Sequence, residues 1–217
     1  MISGSASGGA GPGLVAAADN VRIQGLVVHR WSAAAIRLAG PNGIVTGNFI
    51  GTTADGLDLP PTGSGQLSHG VEITGLNSRV GGTSPADRNV ISGMNFSGVL
   101  LNASNNLVQG NLIAMKANGL EALPDVGSGS AGVTALSGIA NTVGGAGPGS
   151  QNVFGNPVTG ISIEGSADVT ILGNLFGTDV TGQRAIVQGL FGGHGTVGIG
   201  VNSFGSTEHI YQNTLAG

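Results

Sequence analysis

The chain has 217 residues, including 43 glycines but only 8% charged residues, and its formal net charge is −4. Ordinary globular domains contain about 25% charged residues and about 7% glycine, so this composition indicates short apolar segments separated by many tight turns. There is no basic run and no apolar stretch of about 18 residues, so we expect neither nucleic-acid binding nor membrane insertion. The sequence has no cysteine, which excludes disulfides and thiolate metal ligands.

A long internal repeat organises the sequence. Three similar hexapeptides follow one another at a constant interval, at positions 47–52 (GNFIGT), 110–115 (GNLIAM) and 173–178 (GNLFGT). Val80-Gly81-Gly82 recurs at the same interval as Val143-Gly144-Gly145. The repeat is clearest over residues 41–203. It predicts one solenoid domain over residues 1–217, because units too small to bury a core must stack on their neighbours.

Each repeat unit predicts two coils of three short strands. In chain order, the first strand is a triplet that ends in an aliphatic residue (Gly43-Ile44-Val45), the second follows an asparagine (Asn48-Phe49-Ile50), and the third follows a glycine (Gly70-Val71-Glu72-Ile73). The alternation of apolar and polar residues is typical of strands. Corresponding first strands contain Arg79-Val80, Leu107-Val108, Thr142-Val143 and Thr170-Ile171. Corresponding second strands contain Val90-Ile91, Leu112-Ile113, Val153-Phe154 and Leu175-Phe176.

Stacking of these coils predicts the fold. Parallel strands in neighbouring coils would lie about 4.8 Å apart. One inward column would then comprise Val71, Val99, Val133, Ile161 and Ile199. The sequence therefore predicts an all-β protein, a right-handed parallel β-helix of about seven coils with three short strands per coil. The first coil fits least well, because His29-Arg30-Trp31 interrupts the pattern.

Three further features have a fixed place in this repeat. Alignment of the first two third-strand segments predicts that Arg37 and Glu72 are outward neighbours on adjacent coils. One recurring position predicts a ladder of stacked amides: Asn48, Asn89, Asn111, Asn152 and Asn174. Long loops at residues 52–69, 114–131 and 178–196 occur in every second coil and should project from one side. Such inserts are either a binding face or tolerated loop length.

The segments Asn89-Val90-Ile91-Ser92-Gly93 and 173–179 (GNLFGTD) carry a family resemblance. Over about residues 41–203 the chain resembles the right-handed parallel β-helix (pectate-lyase-like) superfamily, and within it the tandem repeats of very large secreted or surface proteins of bacteria. The resemblance implies the β-helix fold. It does not fix an activity, because the superfamily includes polysaccharide lyases, glycoside hydrolases, epimerases, adhesin stalks and phage tailspikes.

The sequence assigns no catalytic, cofactor-binding or metal-binding residue. The lyases that the chain resembles use acidic calcium ligands and a basic residue, and the hydrolases use paired carboxylates. Asp55 and Asp58 lie close together in one loop, and the equivalent loops carry Asn118 with Glu121, and Asp179. Calcium requires six to eight oxygen ligands, so we expect these Asp residues to cap their own turns. The four histidines, His29, His69, His194 and His209, form no metal-spaced pair.

These observations favour a structural or adhesive module of an extracellular or cell-surface protein, serving as a stalk, a spacer or a self-assembling filament subunit. The alternative is a carbohydrate-active enzyme, either a polysaccharide lyase or a glycoside hydrolase. Met1-Ile2-Ser3-Gly4 resembles Val90-Ile91-Ser92-Gly93, and residues 209–216 resemble 107–114. We therefore expect the repeat to continue, by end-to-end self-association or within a longer chain. Carbohydrate is a further candidate partner, and no cofactor is expected.

Overall fold

The computed structural model describes residues 1–4, 11–61, 67–123, 131–155, 158–165, 167–186, 197–203 and 208–215. This part of the chain consists of 22 short strands joined by turns. Its single helical element is a 3-10 turn, Pro85–Asp87, in which the Ser84 hydroxyl accepts a hydrogen bond from the Ala86 N–H. The expectation of an all-β fold is confirmed.

The strands form three sheets, and successive strands of the chain visit sheets 1, 2 and 3 in turn. Sheet 1 contains β1 (Ile2–Ser3), β4 (Val27–His29), β7 (Phe49–Ile50), β10 (Val90–Ile91), β13 (Leu112–Ile113), β16 (Val153–Phe154), β19 (Leu175–Phe176) and β22 (Thr214–Leu215). Sheet 2 contains β2 (Leu14–Ala16), β5 (Ala34–Leu38), β8 (His69–Ile73), β11 (Ser97–Asn102), β14 (Ala131–Ser137), β17 (Thr159–Gly165) and β20 (Val197–Ser203). Sheet 3 contains β3 (Arg22–Gln24), β6 (Ile44–Thr46), β9 (Arg79–Gly81), β12 (Leu107–Gln109), β15 (Asn141–Gly144), β18 (Val169–Leu172) and β21 (Glu208–Tyr211).

All neighbouring strands within the three sheets pair in parallel, each with the strand one coil away. The molecule is therefore a three-faced parallel β-helix of seven coils, with an eighth strand in sheet 1. The predicted inward column is confirmed, since Val71, Val99, Val133, Ile161 and Ile199 are paired in that order. The first four are fully buried. Each buried aliphatic side chain stabilises the fold by about 1.5–3 kcal/mol. A single coil could not bury these side chains without its neighbours.

The structure also fixes the register of the first coil, which the sequence left uncertain. Ile2 pairs with Val28, Leu14 with Ile36, and Arg22 with Ile44, so each sheet begins in register with the coils that follow. Within the interrupting segment His29-Arg30-Trp31, His29 is the last residue of β4, and Arg30 and Trp31 lie between β4 and β5, where Arg30 adopts a φ of 64°.

The predicted asparagine ladder lies inside the turn between sheets 3 and 1. Each asparagine side chain in the ladder donates an N–H to the amide oxygen of the next asparagine, over 2.9–3.1 Å. The donors are Asn48, Asn89, Asn111, Asn152 and Asn174. Asn213, which the sequence analysis did not include, is the sixth member. The ladder satisfies buried amides by stacking identical groups, so it holds successive coils in one register.

The long loops begin with three equivalent hairpin turns at residues 53–58, 116–121 and 179–184. In each, the first backbone N–H donates to the carbonyl of the last residue, over 2.8–2.9 Å. Gly56, Gly119 and Gly182 adopt positive φ values at the turn. The remaining loop residues, 62–66, 124–130 and 187–196, lie outside the described residues. The prediction that these loops project from one side is confirmed for their hairpins.

The three hairpins stack on one another and cover the outer face of sheet 1. The Ala117 N–H donates to the Gly56 carbonyl, and the Val180 N–H donates to the Gly119 carbonyl. Beneath them lies a second hydrophobic cluster, separate from the main core. Its buried members are Val90, Leu112, Met115 and Val153, with Phe49, Ala117, Leu175, Val180 and Ile186 packed against them. The hairpin stack therefore adds a layer outside the solenoid.

Candidate functional site

A groove on the outer face of sheet 2 is a candidate site, with a volume of about 590 Å³. Its floor consists of outward side chains from β8, β11, β14, β17 and β20, which the stacking places in rows along the helix axis. One row runs from His69 through Ser97 to Thr159. The alternation of inward and outward residues along each strand thus brings side chains from distant parts of the sequence together.

The second row of the groove is apolar at one end and hydroxylic at the other. Leu100 pairs with Thr134, which pairs with Ser162. The Thr134 hydroxyl lies 2.8 Å from the Ser97 hydroxyl, and the Ser162 hydroxyl donates to Glu164 Oε1 over 3.0 Å. Hydroxyl groups both donate and accept, so this surface is suited to a polar, uncharged ligand.

An aromatic residue borders the groove. Phe96 is 60% exposed, and its ring centroid lies 6.0 Å from that of His69. Burial lowers the pKa of His69 from 6.5; Glu72 opposes this shift and Arg37 adds to it. The imidazole is therefore uncharged at neutral pH. Its Nδ1 atom is buried and has no hydrogen-bond partner among the described residues.

The predicted pair of Arg37 and Glu72 lies in the second row, next to the groove. The two residues are register partners on β5 and β8, and Arg37 Nε donates to Glu72 Oε2 over 2.7 Å. This prediction is confirmed. Of the described residues that line the groove, one carries a carboxylate, Glu164, whereas glycoside hydrolysis uses two.

The acidic loop residues lie on the hairpin stack, at a different face from the groove. Asp55 accepts hydrogen bonds from the Thr53 hydroxyl and the Leu57 N–H, and these bonds lower its pKa. The hydroxyl and N–H of Thr181 bond to Asp179 in the same way and lower its pKa. The expectation that the aspartates cap their own turns is confirmed for Asp55 and Asp179, whereas Asp58 bonds within the turn through its backbone N–H and carbonyl.

The other residues considered in the sequence do not converge on the groove. Glu121 pairs with Lys116 at 2.7 Å, and the Asn118 side chain accepts a hydrogen bond from the Leu120 N–H. Among the residues that the structure describes, no three His, Asp or Glu side chains cluster in a way that could hold a metal ion. His29 is buried in sheet 1 and His209 lies on the last coil. His194 lies outside the described residues.

The sequence analysis did not identify the groove. Its signal was present in the polar outward positions of the third strands, where Thr134 and Ser162 occupy the position held by Glu72 in an earlier coil. Leu100 is an apolar residue at an outward position of β11, and it lines the groove. These residues are far apart in the sequence and become neighbours only through the pairing of strands in successive coils.

The last coil presents a second notable surface, which we call the open end and define by β20, β21 and β22. Its inward residues continue the core columns, since Val201 pairs with Ile163, Ile210 with Ile171 and Leu215 with Phe176. They are nevertheless 47%, 45% and 62% exposed, whereas their partners one coil below are at least 96% buried. Core residues are thus exposed at this end of the stack.

Together, the three sheets, the asparagine ladder and the groove define a solenoid protein of the parallel β-helix class. No family model, no curated protein and no solved structure matches this chain. Among the described residues, no helix is long and apolar enough to cross a lipid bilayer.

Proposed function

We propose that the chain is a structural β-solenoid module, a stalk or spacer whose open end is covered by further coils. The exposure of Val201, Ile210 and Leu215 carries this proposal, because large apolar side chains on core columns are costly to leave in water. Among the described strands, β20, β21 and β22 are the last in their sheets, and the edge of a sheet templates the addition of further strands.

The resemblance of the repeats to those of large bacterial surface proteins supports an extracellular setting for this module. In that setting the two-coil unit serves as a length element, because each added coil extends a solenoid by about 4.8 Å. Low charge fits such a role, since it gives little electrostatic repulsion between stacked coils. Continuation within a longer chain and contact between chains would both cover the open end.

A fusion that adds two coils tests the proposal. Residues 1–212 are joined to a second copy of residues 152–217, so that Asn152 takes the place of Asn213. We expect slower amide hydrogen exchange in the original β21, because a new strand covers it, and a higher midpoint of urea unfolding. The control fusion carries the same added residues in shuffled order. Unchanged exchange in β21 would show that the open end does not accept further coils.

A second candidate function, carbohydrate adhesion, has its own observation: the groove beside Phe96, which is lined by hydroxyl groups and a carboxylate. Five strands cross the groove, which corresponds to a length of about 19 Å at the usual strand spacing. An aromatic ring beside hydroxyl groups suits the apolar face and hydroxyls of a sugar.

Glycan binding measured by saturation-transfer NMR tests this candidate. Phe96→Ala should abolish binding, whereas Leu76→Ala, at an exposed leucine outside the groove, should not. Equal binding by both variants would remove the groove from consideration. Glycan cleavage that is lost in Glu164→Gln would instead support the alternative of a carbohydrate-active enzyme.

A further inference from the structure

The asparagine ladder has a direction, and this direction bears on what the open end can bind. Side-chain amides donate toward the open end throughout, and the backbone N–H groups of Asn48, Asn111, Asn152 and Asn174 also donate to the next amide oxygen, over 2.9–3.2 Å. Asn213 accepts from Asn174, and its side chain donates to the Ile171 carbonyl. No described residue accepts its backbone N–H. Asn213 therefore offers its donors to an amide oxygen one coil further on.

The hairpin stack ends with a complementary group. The carbonyls of Gly56 and Gly119 each accept a backbone N–H from the next hairpin. Gly182 occupies the same position in the third hairpin, and no described residue donates to its carbonyl. The last coil thus presents a donor, Asn213, and the third hairpin presents an acceptor, the Gly182 carbonyl. Their positions are those of the equivalent groups in the earlier repeats.

The first coil of a second copy does not match this end. Among the described residues, sheet 1 has eight strands, whereas sheets 2 and 3 have seven each. If β2 and β3 of a second copy paired with β20 and β21, its β1 would fall on the row already occupied by β22. If β1 instead paired with β22, sheets 2 and 3 would each lack one strand at the junction. One of the two strands must leave before two copies can stack without a gap.

The ladder adds a chemical mismatch to this competition. The ladder position of the second coil is Leu26, whose backbone N–H donates to Asn48 Oδ1. When β1 of the second copy is displaced, Leu26 would lie above Asn213 and offer it no side-chain oxygen. When β22 is displaced, Asn213 moves with it. Met1 of the second copy would then lie above Asn174 and would also offer no side-chain oxygen.

We infer that the open end recognises a coil carrying asparagine at the ladder position, and that it discriminates against the first coil of a second copy of this chain. This inference rests on the proposed function and names the partner: a further repeat of the same kind. It also implies that two changes convert the chain into its own partner. Removal of β1 ends the strand competition, and Leu26→Asn supplies the missing amide oxygen.

Sedimentation velocity over a concentration series tests the inference. The variant lacking residues 1–10 and carrying Leu26→Asn should associate at least tenfold more tightly than the parent chain. The matched control has the same truncation with Leu26→Ala, which removes the leucine without supplying an oxygen, and it should associate at least tenfold more weakly than the Asn variant. Ile210→Lys should abolish the association, whereas Ile139→Lys, at an exposed position away from the open end, should not.

Three results would overturn the inference. Equal association of the Asn and Ala variants would remove the ladder from recognition, and tight association of the parent would remove the strand competition. A folded Asn variant that stays monomeric would show that a matched coil is not recognised. Circular dichroism melting establishes folding. A further variant that ends at Tyr211 lacks β22, so the strand competition is absent, but it also lacks the Asn213 donors. It should associate no more tightly than the Leu26→Ala control. If the two-coil fusion slows hydrogen exchange in β21 while the association experiments contradict the inference, the proposed function is still supported.

Discussion

Substitution of Asn111 by alanine should destabilise the protein strongly. Asn111 is fully buried in the middle of the ladder. Its side-chain N–H groups donate to the Val80 carbonyl, the Gln109 carbonyl and Asn152 Oδ1, each over 3.0 Å. Its amide oxygen accepts from Asn89 Nδ2 over 2.9 Å. The substitution therefore removes four hydrogen bonds and leaves their partners in a buried turn.

The expected loss follows from these four bonds. A net contribution of about 0.5–1.5 kcal/mol per hydrogen bond gives a total of about 2–6 kcal/mol. Asn111→Leu keeps the same number and branching of side-chain heavy atoms and leaves no cavity, so a similar loss in that variant would assign the effect to hydrogen bonding instead of to a cavity. Asn118→Ala is the control, because Asn118 is exposed and its side-chain hydrogen bonds, to the Leu120 N–H and to the Glu121 carboxylate, lie at the surface. We expect at most about 1 kcal/mol from it.

Urea unfolding followed by circular dichroism measures the free-energy difference, provided that the denaturant slope is unchanged between variants. Hydrogen exchange should also show that amides in the coils adjoining residue 111 open first in the alanine variant. A loss below about 1 kcal/mol for Asn111→Ala, equal to that of the Asn118 control, would refute the reasoning that the ladder stabilises the stack.

Three smaller effects are expected. Ala114 has a φ of 53° at a repeat position that is otherwise glycine, so Ala114→Gly should raise the unfolding free energy by about 0.5–1 kcal/mol; a lower urea midpoint would contradict this. The lowered pKa of Asp179 means that its stabilisation is present above about pH 4 and disappears as pH falls through the folded-state pKa, a dependence that Asp179→Asn should remove from acid titrations. A double-mutant cycle on the half-buried Arg37–Glu72 pair should give at most about 1 kcal/mol, and a coupling twice as large would show that the pair is effectively desolvated.

The repeat could be predicted from the sequence because each coil uses the same residue types at the same positions. Strand pairing, the inward column and the asparagine ladder all follow once the phase of the repeat is found. The Arg37–Glu72 pair follows as well, since a one-residue shift in register would have turned both side chains inward. These features depend on local alternation and on the spacing of glycine and asparagine.

The groove and the hairpin layer could not be predicted in the same way. Both depend on contacts between segments of different coils, whose side chains share no periodic signature. A clue to the hairpin layer did exist: Val90 and Val153 occupy outward positions of sheet 1, and apolar residues there require a cover. The sequence analysis assigned the loops a direction but not a role as that cover.

The hairpin layer explains why the repeat contains two coils. A hairpin is two strands wide, so stacked hairpins need about 9.6 Å each, whereas a coil rises by about 4.8 Å. A hairpin in every coil would overlap its neighbour, and a hairpin in every second coil fits. The Ala117 N–H to Gly56 carbonyl bond, across two coils, shows that the fit is close. A deletion should therefore be tolerated when it keeps neighbouring hairpins two coils apart, whatever the number of coils that it removes.

Two deletions distinguish the effect of hairpin spacing from the effect of the number of coils removed. Removal of residues 90–152 joins Asn89 to Val153 and takes out one whole repeat unit, so the remaining hairpins at 53–58 and 179–184 stay two coils apart. Removal of residues 90–111 joins Asn89 to Leu112 and takes out a single coil, which brings the hairpins at 53–58 and 116–121 onto adjacent coils. We expect the larger deletion to give a folded protein with one cooperative urea transition. The smaller deletion should expose the apolar cluster beneath the hairpins, detected as increased binding of a hydrophobic dye. A single-coil deletion that is as stable as the two-coil deletion would show that the hairpin layer does not set the repeat.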